Sequence, residues 1–132
     1  MSQPDLKARQ YLEQMDLSYI RDRMCSAYYE LPRWSSPLID TCETLYKRFL
    51  WLMVIHPDEP LVPTKSIDEF WHNHILFTKS YIQDCQHLAG RYLHHDPSDP
   101  SDNVEQLAQQ FSHTQQRYQD TFGEPLKVLV RE

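Results

Sequence analysis

The segment Ser36–Ile55, SPLIDTCETLYKRFLWLMVI, decides how the rest of the chain must be read. Ser36 offers a capping hydroxyl, and Pro37 sits where a missing N–H loses no hydrogen bond, so the segment opens as a helix. Leu38, Cys42, Leu45, Tyr46, Phe49, Leu52 and Met53 then fall on one helical stripe. The closing seven residues, FLWLMVI, are apolar all round. A buried strand is the rival for those seven, but their continuity with the stripe favours helix. A helix apolar on every side belongs at the centre of a bundle.

The same period recurs on both sides. Upstream, Ala8, Leu12 and Met15 make one face, and Leu17, Ile20, Met24, Ala27 and Tyr28 make another. Pro32 and Pro37 bracket a break that holds Trp34. Downstream, residues 57–65, PDEPLVPTK, carry three prolines and must connect rather than continue. Ser66, with Glu69 three residues on, reads as a capping box ahead of an apolar-rich helix. Thr78 reads as the cap of the next, whose stripe is Tyr81, Ile82, Cys85, Leu88 and Ala89, with Gly90 as its stop. A polar, proline-bearing loop, HHDPSDPSDN, precedes a last helix carrying Val104, Leu107, Ala108, Phe111, Tyr118 and Phe122 on one side. The expectation is a single all-α domain over residues 1–132, a bundle of five or six helices.

Composition narrows the function classes. The chain has 132 residues, 40% of them hydrophobic, enough for a core without disulfide staples. Its net charge is −6 and no block of lysine or arginine occurs, which speaks against nucleic acid and against an anionic membrane surface as partners. Two glycines leave no room for a phosphate-cradling glycine loop. Cys25, Cys42 and Cys85 are odd in number, widely spaced and without a CxxC, so neither a disulfide framework nor a zinc knuckle is indicated. With no apolar leader in MSQPDLKARQ and no run of about 20 apolar residues, the expectation is a cytoplasmic protein.

Chemistry concentrates in residues 66–95, SIDEFWHNHILFTKSYIQDCQHLAGRYLHH, which hold five of the seven histidines. On a helix His72 and His74 stand ~200° apart and can share one ion only if the helix ends or distorts between them. Asp68 and His72, four apart, do share a face. A third ligand would come from His94 or His95, if the hairpin after Gly90 brings that loop back. His72, His94, His95 and Asp68 are thus the candidate ligands of a divalent transition metal, zinc, iron or manganese. His74, Tyr81, Asp84, Trp71 and Cys85 would support them. Against this stand a buried His74 satisfied by one hydrogen bond, a packed Cys85 and an exposed His87.

The run Asp68-x-Phe70-Trp71-His72-x-His74-Ile75-Leu76-x-Thr78-x-x-Tyr81-x-x-Asp84-Cys85, then Gly90 and Leu93-His94-His95, resembles the glycine-rich domain-containing protein-like family, a domain of unknown function. Its short stand-alone bacterial members are the most similar. Glu43-x-x-Tyr46-x-Arg48-Phe49-Leu50 and Tyr118-x-x-x-Phe122-Gly123 extend the likeness over roughly residues 30–124. The resemblance implies a stand-alone domain lacking the glycine-rich region. It marks Trp71, His72, His74, Asp84 and Cys85 as signature residues and supplies no reaction.

The functional expectation is a small helical protein with a His/Asp metal-binding or polar site, open to metal-dependent hydrolysis or oxygen chemistry. The alternative is a protein-interaction module in which the histidine motif is a structural core network. Trp34, Trp51 and the 49–55 run would then face a protein partner or a second copy. A histidine switch acting between ~pH 5 and 7 is a third reading.

Overall fold

The computed structural model describes residues 2–96 and 103–130. Among these the chain forms six helices and no strand, as the periodicity predicts. The 20-residue helix α3 (Ser36–Ile55), about 30 Å long, is the axis. It packs against α1 (Gln3–Gln14), α4 (Lys65–Leu76) and α6 (Val104–Phe122). In turn α4 packs against α2 (Ser18–Met24) and α5 (Thr78–Ala89), and α1 closes onto α5. Consecutive residues Phe49, Leu50, Trp51 and Leu52 are all buried. At 100° per residue they point to every side, so the helix is covered all round. Each such side chain contributes roughly 1.5–3 kcal/mol by leaving water.

Several local expectations are corrected. The N-cap of α4 is Thr64, whose hydroxyl accepts from the Ile67 N–H at 3.3 Å, not Ser66. Glu69 does not close a capping box; it accepts from the Trp34 indole at 2.5 Å and the Tyr29 hydroxyl at 2.7 Å. The Leu17–Tyr28 face stops at Met24, because the chain turns and the Trp34 N–H bonds back to the Met24 carbonyl at 3.0 Å. Tyr28 is left 95% exposed. The apolar side of α6 is mostly not core: Val104 and Ala108 are exposed, and only Thr114 and Tyr118 are buried. Tyr118 enters the core and Phe111 and Phe122 pack against it, so the helix joins the bundle chiefly through its second half.

The outer helix is held by charge. Glu59, in the proline-rich connection, receives His56 and His113, each at 2.6 Å, and Arg117 at 2.8 Å. Arg48 of α3 donates to the Tyr118 hydroxyl at 2.8 Å and to Glu124 at 2.5 Å, and lies against the Phe122 ring. Of the HHDPSDPSDN loop, residues 97–102 lie outside the described residues. No helix among the described residues is long and apolar enough to cross a membrane.

Gly90 ends α5 in the left-handed region (φ 68°), its N–H bonded to the Gln86 carbonyl at 3.0 Å. An added Cβ would meet nothing within 4 Å, so its whole cost is conformational. Gly90→Ala is therefore expected to lower stability by about 1 kcal/mol. The check is a shifted urea midpoint at unchanged slope; an unchanged midpoint would refute it.

Candidate functional site

The site is built on the α4–α5 hairpin. Phe77 alone joins the two helices, ending one and starting the other. The tight joint sets His74 on the inner face of α4 against Asp84 on the inner face of α5. His74 Nε2 lies 2.7 Å from Asp84 Oδ2, and its Nδ1 lies 2.7 Å from the Tyr46 hydroxyl of α3. The Tyr11 hydroxyl of α1 donates to Asp84 Oδ1 at 2.6 Å. A carboxylate only accepts, so Nε2 carries a hydrogen toward Asp84, and the Tyr46 hydroxyl pairs with the other ring nitrogen. His74 is 1% exposed, and no buried side-chain polar atom among the described residues lacks a partner. This half of the motif is a chain of hydrogen bonds across four helices.

A second chain of bonds recovers the segment after Gly90. The Trp71 indole donates to the Tyr81 hydroxyl at 2.8 Å, and that hydroxyl donates to the Leu93 carbonyl. The Leu93 N–H reaches the Cys85 sulfur at 3.4 Å. Leu93 is thereby pinned on the hairpin, and His95, two residues on, lands over the Trp71 ring with centroids 4.2 Å apart. Its Nε2 bonds Asp68 Oδ1 on the first turn of α4. Burial pushes the Cys85 thiol up, outweighing the Leu93 N–H and Tyr81, so this sulfur is not a thiolate nucleophile.

Beside that pair opens a cleft of about 580 Å³ between residues 56–65, the start of α4 and residues 91–96. Met53, Leu61 and Leu93 supply apolar wall, with Lys65 and Arg91 also in the lining. Partly exposed polar groups over an aromatic floor can hold a ligand, whereas His74 is buried and Asp84 reaches only the edge of a separate cleft beside Tyr11 and Tyr19.

The four expected ligands are divided. Asp68 and His95 meet; His72 is exposed, and His94 turns edge-on to Tyr92 at 4.7 Å. Among the described residues no three His, Cys, Asp or Glu side chains converge as a metal would need. The reason is the helix: Asp68 and His72 share a face in projection, but the returning segment crosses only its first turn. Trp71, Tyr81, Asp84 and Cys85 all sit in the hydrogen-bonded interior. The sequence reading missed Tyr11 and Tyr46, which stand 73 and 28 residues from their partners. It also missed Asn73, which ties Arg23, Tyr29 and the Glu69 carbonyl together, each at 2.9 Å. Polar residues on buried stripes were the one available signal.

The UCP032817-like family model matches residues 7–120, from α1 nearly to the end of α6. The chain belongs to the UCP032817-like family. This overturns the resemblance to the glycine-rich domain-containing protein-like family, which nothing in the comparisons indicates. That resemblance rested on a helix-hairpin signature and began near residue 30, whereas the family match includes α1, the helix that supplies Tyr11 to the UCP032817-like core. No curated protein and no solved structure matches the chain.

The core bonds carry two measurable consequences. Asp84→Ala strands a buried imidazole donor and is expected to cost about 3 kcal/mol or more. Tyr11→Phe, at the partly exposed end of the chain of bonds, should cost about 1 kcal/mol. Equal losses in chemical denaturation would refute this chain of bonds.

The second consequence is alkaline. Burial, foremost, raises the Tyr11, Tyr46 and Tyr81 hydroxyls above their ordinary value. Their contribution is fully present below about pH 10 and erodes as pH climbs past it, because the unfolded chain ionises and the fold resists. Part of the phenolate absorbance should therefore appear only as helical circular dichroism is lost. Complete ionisation of a still-folded chain would contradict this.

Proposed function

We propose that this chain is a small-ligand-binding module whose site is the cleft beside Asp68 and His95. The observation that carries the reading is the Asp68–His95 pair seated on the Trp71 ring at the edge of that cleft. Its size, about 580 Å³, suits a small molecule rather than a single ion. The interior half of the histidine motif is the hydrogen-bonded core network of the alternative expectation. Of the surface which that alternative set against a partner, Trp34 and Trp51 are 3% and 4% exposed, while Met53, Val54 and Ile55 are partly exposed.

A metal reading is narrower than the sequence allowed. Asp68 and His95 form a two-donor half-site for zinc, iron or manganese, and further ligands would come from the bound molecule or water. Catalysis would need a reacting group that this pair could serve as base. Three free thiols fit a reducing, cytoplasmic setting.

The test is a fragment screen followed by amide proton–nitrogen NMR. Shifts are expected to gather on residues 65–71 and 91–95 and to weaken in His95→Ala. Hits gathering elsewhere, or indifferent to His95→Ala, would sink the reading. Elemental analysis of untagged protein decides the metal arm: one equivalent of a transition ion, lost in both Asp68→Ala and His95→Ala, would make the cleft a metal centre.

A further inference from the structure

The chain after α6 is held by little. Gly123 stops that helix in the left-handed region (φ 76°), and residues 124–130 then run on without regular structure. Among the described residues no backbone hydrogen bond outside the helices involves these seven. Their side-chain bond is the one that Arg48 donates to Glu124 at 2.5 Å, and the Glu124 side chain is 60% exposed. Leu126 alone enters the core, at 7% exposure, and Leu129 packs against it in part. By contrast α6 is docked without this segment. Tyr118 is buried and bonded to Arg48, the Val62 N–H donates to the Thr114 hydroxyl at 2.8 Å, and Glu59 holds His113 and Arg117. Residues 124–127 form one wall of a second cavity, about 430 Å³, whose other walls are Thr41, Thr44, Leu45 and Arg48 of α3 and Tyr118 of α6. A segment with few buried apolar contacts and no backbone ladder opens far more readily than the fold as a whole.

We propose that residues 124–130 are a strap, hinged at Gly123, that opens and closes over this second cavity while the six helices stay folded. Closed, the strap seats Leu126 in the core and sets Glu124 on Arg48. Opening withdraws one wall of the cavity and leaves Arg48 on the Tyr118 hydroxyl. Gly123 suits the hinge, because a residue without Cβ takes left-handed and right-handed backbone about equally well. Ionic strength is the lever: the charged tie is exposed, so salt screens it and shifts the strap toward open. The device stands apart from the cleft beside Asp68 and His95 and does not rest on ligand binding there.

The experiment is thiol labelling of the intact chain, with each site read by mass spectrometry. Leu126→Cys puts a thiol at the strap's anchor, while the buried Cys42 and Cys85 report unfolding of the bundle in the same molecule. The introduced thiol is expected to label at least about tenfold faster than either, since local opening precedes global unfolding. Leu88→Cys, a matching truncation at a side chain 4% exposed on α5, should label no faster than those two. Adding Glu124→Gln to Leu126→Cys should speed labelling of the strap about twofold to fivefold relative to Cys42, as for a lost exposed ion pair. Raised salt should act in the same direction with Glu124 present and not in the Glu124→Gln background. Strap labelling no faster than that of Cys42 and Cys85, equally fast labelling in Leu88→Cys, or indifference to either lever overturns the proposal.

Discussion

The bundle depends on a carboxylate and an imidazole that share one buried place. Asp84 and His74 are ten residues apart, on helices joined by a single residue, and 2.7 Å apart in the core. Either one buried alone would be costly, since a polar group taken from water without a partner loses its hydration and gains nothing. Together they fix the rotation of α4 against α5. Tyr46 then sets α3 against that hairpin, and Tyr11 sets α1. Apolar packing supplies most of the stabilisation but tolerates sliding; directional hydrogen bonds at the centre select one register among packings of similar burial.

The same hairpin divides the histidine motif into an inside and an outside. A step of two residues turns a helix by ~200°, so with His74 facing the core His72 faces the opposite way, where it is exposed. The segment after Gly90 then returns over the first turn of α4 because Tyr81 and Cys85 hold Leu93. What reaches the surface is therefore Asp68 with His95, on a floor of Trp71, next to the cleft. One short stretch of sequence serves both the rigid interior and the accessible site, and the rigidity of the first positions the second.

Much of the architecture was legible. The stripe from Leu38 to Met53, the proline-rich connection after His56 and the stop at Gly90 all follow from local rules of helix periodicity and termination. Cap identity was less so: Thr64 and Ser66 are both competent, and Thr64 caps the helix while Trp34 and Tyr29 take Glu69 away from it. The stripe of α6 is covered only in part, Tyr118 in the core but Val104 exposed, because amphipathicity shows which face is apolar, not how much of it is covered. Family membership shows the same limit. A motif on one hairpin resembled the glycine-rich domain-containing protein-like family, while the match that decides membership extends through α1.

By itself the sequence determined the helices and where most of them stop, since those depend on neighbours three or four positions away. It also marked residues 66–95 as the place where chemistry concentrates. Only the tertiary structure decided which of those residues meet: Tyr11 with Asp84 across 73 positions, Tyr46 with His74 across 28, and His95 with Asp68 instead of His72. Such pairings depend on how helices rotate and cross, which is settled jointly by buried area and hydrogen-bond geometry over the whole bundle, and no local period encodes it.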